Sequence, residues 1–542
     1  MQDGQRYVLT MKTDLRPVKN STTMTNKVRI LWADDEIDLL KPHVLFLEAK
    51  GYEVTTVCSG NEAIDQVDEH YFDIVFLDEN MPGLSGLETL QKIKELDGSL
   101  PVIMITKSEE ESIMEEAIGS KISDYLIKPV NPNQILLLVK KNLDERRLVS
   151  EKTNSGYQRE FQQIGMRLMD RLDHEEWCEL YRKLVYWDLE MDRSDDKGME
   201  EILAMQKSEA NRQFSKSIKQ NYLNWVNGVD EAPVMSHTLL KTWLAPMMKE
   251  KPGEKVYLIV IDNLRYDQWK TIQPKIADLF RVEEEKMFYS ILPTATHYAR
   301  NALFSGLMPS EMAKLFPNEW KNEEDEGGKN LAEEHFLEAN LKRMGLDVSK
   351  SYHKITNLNA GKRLLDNFHQ LQNNDLNVIV YNFVDMLSHA RTEMEVIKEL
   401  ADDESAYRSI TSSWFDHSPL LEMMKIMASQ GAKVVVTTDH GTVKVDQAVK
   451  VVGDRNTNTN LRYKTGRNLD YNAKDVFEIR DPRDAFLPKQ NVSSSFIFAT
   501  DNDFFVYPNN YNHFVNYYKN TFQHGGVSME EVLIPFIILQ SK

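Results

Sequence analysis

The sequence predicts an α/β chain in three parts: a doubly wound parallel sheet of about 120 residues, a central helical bundle, and a second, larger α/β domain. Three observations predict it. Near the N-terminal end, short apolar runs at 27–32, 73–77, 102–105 and 124–127 alternate with amphipathic stretches, as strands and helices do in parallel sheets. From 147 to 238 the strand signal disappears and apolar residues return at spacings of three and four. Beyond 238, the runs 255–262, 376–385 and 432–440 read as buried strands that each reach an aspartate. At 542 residues the chain is too long for one core, which fits this division.

Taken in order, residues 1–25 are polar, precede no apolar stretch, and are expected to be a disordered extension outside the fold, with Met24 a possible downstream start. The first domain spans 26–146 and the connector 147–238. In the connector, Trp177, Leu180, Tyr181, Leu184 and Val185 form one helical stripe and Phe214, Ile218, Tyr222 and Trp225 another, the pattern of a bundle core. Gly228 and Pro233 then read as a helix stop. The last domain takes 239–542. Within it the acidic stretch 322–330, NEEDEGGKN, reads as a solvated loop without chemistry.

Composition excludes several classes. With 65 Lys and Arg against 84 Asp and Glu, the net charge of −19 repels polyanions, so gripping duplex DNA is not the expected task. The two cysteines, Cys58 and Cys178, stand far apart, which leaves no disulfide framework and no cysteine zinc module and fits a reducing cytoplasm. No apolar run approaches the ~20 residues of a membrane helix.

In the first domain, Asp34, Asp35, Asp78, Thr106 and Lys128 all fall at strand ends on one sheet edge. Three carboxylates brought together repel unless a hard cation neutralises them, which suggests Mg²⁺; a lysine and a hydroxyl beside it would cradle a phosphoryl group. The segments WADDE (32–36), DENMPGLSG (78–86), IT (105–106) and DYLIKP (124–129) resemble the receiver domain of two-component response regulators. That resemblance implies that Asp78 accepts the phosphoryl group, that Asp34 and Asp35 hold Mg²⁺ with it, that Thr106 and Lys128 bind the phosphoryl oxygens, and that Tyr125 is the aromatic switch.

The C-terminal domain carries a second constellation: Asp262, Asp385 with His389 four residues on, Asp439 beside His440, and His524 in QHGG. Mixed imidazole and carboxylate ligands suit Zn²⁺ or Mn²⁺, and six are enough for two ions. Thr296, in LPTATHYARNALFSGL, stands where a helix begins, and metal coordination would turn its weak hydroxyl into a nucleophile. These elements in this order resemble the alkaline phosphatase superfamily, whose phosphodiesterase branch carries its nucleophile in PTxT with Gly-Leu ten residues later, as Thr296 and Gly306 are spaced. The resemblance implies one metal on Asp385, His389 and His524 and another on Asp262, Asp439, His440 and the Thr296 oxygen, with Thr294 the competing nucleophile. The run IDNLRYDQW (261–269) is similar to the PglZ subgroup, which has a small residue, usually Gly, where Asn263 stands. The basic stretch 455–467 offers Arg455, Arg462, Lys464 and Arg467 to further phosphates of an oligonucleotide or cyclic dinucleotide, and Tyr463 to a base, although a solvated loop explains it equally well. His297 and His353 stay undecided.

Receiver, connector and PglZ-like domain together resemble the response regulators of type IX secretion in Bacteroidetes. That implies a zinc-dependent phosphodiesterase under phosphorylation control, a sensor histidine kinase upstream, a sigma factor or secretion component downstream, and a phosphorylation-dependent homodimer. The alternative is a phosphorylation-switched scaffold whose metal domain is catalytically silent.

Overall fold

The computed structural model describes residues 28–98, 100–106, 122–192, 197–393, 403–454 and 457–542. The extension predicted at 1–25 lies outside them, as does Arg455. The chain forms two compact units that divide between Lys152 and Thr153.

The first unit is a five-stranded sheet of β1 (Arg29–Ala33), β2 (Glu53–Val57), β3 (Ile74–Asp78), β4 (Val102–Thr106) and β5 (Asp124–Ile127), all parallel, in the order β2-β1-β3-β4-β5. Side chains alternate between faces along each strand. Ile30, Trp32, Phe76 and Ile105 therefore enter one core while Leu31, Ala33, Leu77 and Met104 enter the other. Both faces are covered, which is why these strands read as unbroken apolar runs. The strand order reverses between β1 and β3, and the crevice there lies at the carboxyl ends of the strands.

In the second unit two helices, α1 (His174–Met191) and α2 (Lys197–Val226), carry the predicted stripes, and every stripe residue is buried. Asp173 starts α1 with a capping box closed by Glu176, and Gly228 follows α2 in the left-handed conformation. The stripes pack into the same hydrophobic core as the C-terminal sheet: Trp225 meets the ring of Tyr289 at 5.5 Å, and the Leu292 amide donates to the Tyr222 hydroxyl at 2.9 Å. Fully burying a large apolar side chain contributes roughly 1.5–3 kcal/mol, so these helices belong energetically to the core of the C-terminal sheet.

The C-terminal sheet consists of β6 (Val256–Ile261), β7 (Phe280–Tyr289), β8 (Lys350–Ile355), β9 (Leu376–Tyr381), β10 (Lys433–Thr437) and β11 (Leu533–Ser541), ordered β7-β11-β10-β6-β9-β8. β10, β6, β9 and β8 are parallel; β11 runs antiparallel to β10 and β7. One expectation changes. The run 376–385 is strand only as far as Tyr381, and Asp385 lies in the first turn of a helix, Phe383–Glu393. The apolar residues continue across this boundary because the first helical turn also faces the core, with Val384 fully buried.

Candidate functional site

At the first crevice, β1 leads to Asp34, β3 ends on Asp78, β4 on Thr106, and Lys128 follows β5. Lys128 Nζ lies 2.8 Å from both Asp34 Oδ2 and Asp78 Oδ1. Oxygens of Asp34, Asp35 and Asp78 fall within 4.8 Å of one another, the first and last buried and Asp35 exposed. Burial pushes the Asp78 carboxyl above its ordinary pKa against the pull of Lys128. Burial also opposes the Lys128 ammonium, but its two acidic partners outweigh that and raise it. Three clustered oxygens fit a hard divalent cation. Thr106 donates to Glu79, and Tyr125 on β5 is 39% exposed, so its ring is outside the core.

In the second unit the predicted ligands gather in two triads, Asp262 with Asp439 and His440, and Asp385 with His389 and His524; the ligand atoms of each lie within 4.8 Å of one another. Asp262 leaves the end of β6, Asp439 and His440 follow β10, and Asp385 and His389 share one helix face at i and i+4. The two triads adjoin, with the His440 and His524 rings stacked at 4.3 Å. Second-sphere bonds set the tautomers. His524 Nδ1 lies 3.2 Å from the Thr294 carbonyl and His440 Nδ1 3.1 Å from that of Gly441. A carbonyl only accepts, so each Nδ1 carries the proton and each Nε2 keeps its lone pair for a cation. Burial pushes the Asp262 carboxyl up to about 6 and the His524 imidazole down to about 3. Asp439 Oδ2 and Asn263 Oδ1 are buried without a hydrogen-bond partner. Orphaned oxygens amid lone-pair imidazoles fit a pair of borderline metal ions.

Thr296 opens helix α3 (Thr296–Ser305), its Oγ1 3.0 Å from His440 Nε2 and 3.3 Å from Asp262 Oδ1. Thr294 is otherwise engaged: its hydroxyl donates to the Gly526 carbonyl and accepts from the Gly525 amide. Gly306 ends the helix at φ +63°, where a Cβ would come within 2.5 Å of the Asn340 side chain. Gly441, which follows Asp439 and His440, is also explained, since a Cβ on it would stand 2.0 Å from the Glu530 carbonyl oxygen.

A cleft of about 950 Å³ opens on Thr296, His389 and His524. Its walls correct two sequence expectations. Glu323, Lys329 and Asn330 of the stretch read as a solvated loop line it, with His297, which hydrogen-bonds to the Lys321 carbonyl. Burial pushes the Glu323 carboxyl up, but bonding and charge from His297 outweigh it and hold the pKa at about 2. Conversely, Arg462 is fully buried on Glu531 and the carbonyls of Asp501 and Asp503, which leaves no donor for a substrate phosphate. Lys464 is 2% exposed and donates to the Asn458 carbonyl, and Arg467, at an exposed strand end, does not line the cleft. The segment's contribution comes from Asn458, Asn460 and Tyr463, whose hydroxyl donates to Glu323 at 2.7 Å. His353 is on β8, away from the cleft. Sequence reasoning missed Arg300, one turn beyond Thr296 on α3, whose buried guanidinium pairs with Asp262 and Glu333. Its i+4 spacing from the threonine was the available signal.

A model of the BREX system PglZ alkaline phosphatase-like domain matches residues 239–539, more than half of the chain. The chain belongs to the PglZ family. Ahead of the PglZ domain, the PorX response regulator linker domain matches 147–226 and the response regulator receiver domain 30–140, and this order is the PorX-type architecture. Among curated relatives, the transcriptional regulatory protein ResD of Bacillus subtilis is 34% identical over 116 residues, 21% of this chain and 48% of ResD. ZraR of Escherichia coli O157:H7 is 30% identical over 140 residues, 26% of this chain and 32% of ZraR. The chain thus spans half or less of the relatives it matches. A CheY-like receiver domain protein from Methanospirillum hungatei is 29% identical, covering 22% of this chain and 96% of that one, with a TM-score of 0.22. Receiver and alkaline phosphatase-like domains generally use divalent metals. Among the described residues no helix is long and apolar enough to cross a membrane.

Proposed function

We propose that this chain is a response regulator whose PglZ domain is a zinc- or manganese-dependent phosphodiesterase for nucleotide-like diesters, with Thr296 as nucleophile, serving type IX secretion. The observation that carries the reading is the convergence of the two adjoining Asp/His triads with Thr296 at a helix N-terminus, where Thr296, His389 and His524 line one cleft. Asp385, His389 and His524 would hold one ion, and Asp262, Asp439, His440 and the Thr296 oxygen the other. When bound, the pair supplies Lewis acidity that lowers the pKa of the Thr296 hydroxyl and of the incoming water. Thr296 Oγ forms a bond to phosphorus as the bond to the leaving oxygen breaks, and water then cleaves the phosphothreonine and restores the hydroxyl. The helix N-terminus favours the phosphoryl oxygens. Asn458, Asn460 and Gln523, with Tyr517 and Tyr518, offer hydrogen bonds and ring faces to a nucleoside.

At the other end, Asp78 takes the phosphoryl group from a sensor kinase with Mg²⁺ on Asp34, Asp35 and Asp78, and Thr106, Lys128 and Tyr125 relay its arrival into homodimer formation and output to a sigma factor or secretion component. Acetyl phosphate with Mg²⁺ is expected to add 80 Da to the wild type and nothing to Asp78→Ala by intact mass.

The deciding experiment is hydrolysis of bis-p-nitrophenyl phosphate with added Zn²⁺ by wild type and Thr296→Ala, with metal content measured on both. Turnover by wild type alone, with about two ions in the wild type, is the expected result. Equal turnover by Thr296→Ala would remove the nucleophile from this mechanism.

A further inference from the structure

Asn263 follows Asp262 on the turn out of β6 and is fully buried at φ +65°. Glycine accepts this left-handed backbone freely, and asparagine is among the few other residues that tolerate it. A side chain held there points to a use for that side chain. Its Nδ2 lies 3.3 Å from Asp385 Oδ1 and 3.2 Å from Ser388 Oγ. The Ser388 hydroxyl donates to the Asp385 carbonyl, so its oxygen accepts from the amide. Carboxylate and hydroxyl thus take both amide hydrogens and fix which way the group faces. The backbone N–H of Asn263 points at Asp439 Oδ1, 3.4 Å away. One residue therefore donates to an acid of each triad.

We propose that Asn263 is a positioning residue for both metal sites, its side-chain amide restraining Asp385 and its backbone amide restraining Asp439. The proposal rests on reading the triads as metal sites. Replacing Asn263 by glycine keeps the backbone conformation and removes only the amide; Ser388→Ala removes a support on the Asp385 side alone.

The test is titration of the metal-free full chain with Co²⁺, following its d–d absorption, and with Zn²⁺ against a competing chelator, for wild type, Asn263→Gly and Ser388→Ala. In Asn263→Gly, which keeps the backbone N–H on Asp439, the dissociation constant of the Asp385, His389 and His524 site is expected to rise by about tenfold or more while that of the other site is unchanged, with an altered Co²⁺ spectrum and a metal-free melting transition close to that of wild type. Ser388→Ala is expected to weaken one site. Wild-type constants and spectrum in Asn263→Gly, or an equal loss at both sites, would overturn this assignment and leave the two-metal reading intact. A wild type that takes up no metal overturns both.

Discussion

At the scale of single residues, chemistry and burial separate side chains that look alike in sequence. Arg462 and Lys464 stand in a basic run, yet both are buried. Burial pushes the Lys464 ammonium from its ordinary 10.5 down to about 7. The folded pKa lies below the unfolded one, so the unfolded chain binds more protons between about pH 7 and 10, and stability through this group rises with pH across that window. Below it, the full cost of burying the charge is present. Lys464→Met is therefore expected to raise stability at pH 6 by about 1–3 kcal/mol and to flatten the rise toward pH 10, measured by urea unfolding at both values. Residue types and spacings gave the ligand set, because Asp385 and His389 at i and i+4, or Asp439 beside His440, carry their geometry in their numbering. Arg300 and Glu323 were not legible in this way. An arginine at i+4 shares the threonine's helix face without telling that this face is buried, and an acid inside a charged loop has no period that tells a cleft wall from a solvated face.

Among the elements, α1 is joined to the PglZ domain by ions as well as by apolar packing. Arg408, on a helix at Glu404–Asp416, is 4% exposed in its side chain and reaches Asp188 at 2.9 Å, Asp192 at 2.7 Å and Asp267 at 3.0 Å. Lys207 of α2 lies 3.2 Å from the same Asp188 and 2.9 Å from Glu404. Removing one partner of a buried pair strands the others at a cost of about 3–5 kcal/mol. Arg408→Met is thus expected to lower the denaturation free energy by that amount, while Arg480→Met, whose side chain is 84% exposed beside Glu478, changes it by about 0.5 kcal/mol or less. The sequence located both helices through their 3.6-residue stripes. Their partner was not legible, because a buried aromatic stripe does not name the surface that buries it.

For the whole molecule, the division at Lys152 and Thr153 groups the helical connector with the PglZ domain. A fragment of residues 239–542 loses the apolar cover of Tyr289 and Leu292 and is expected to express insolubly. Residues 153–542 are expected to stay soluble and melt cooperatively, with calorimetry of the pair as the check. One further property follows from the place of β11, which comes after every other strand in sequence yet lies inside the sheet, between β7 and β10. A ribosome that has delivered the receiver by residue 140 must make about 400 more residues before this sheet can close, roughly 20–80 s at about 5–20 residues per second. Throughout that interval the nascent chain can present a folded receiver while Thr296 and the two triads are still unassembled. A messenger cut short before β11 would then yield a receiver attached to an unfinished PglZ domain.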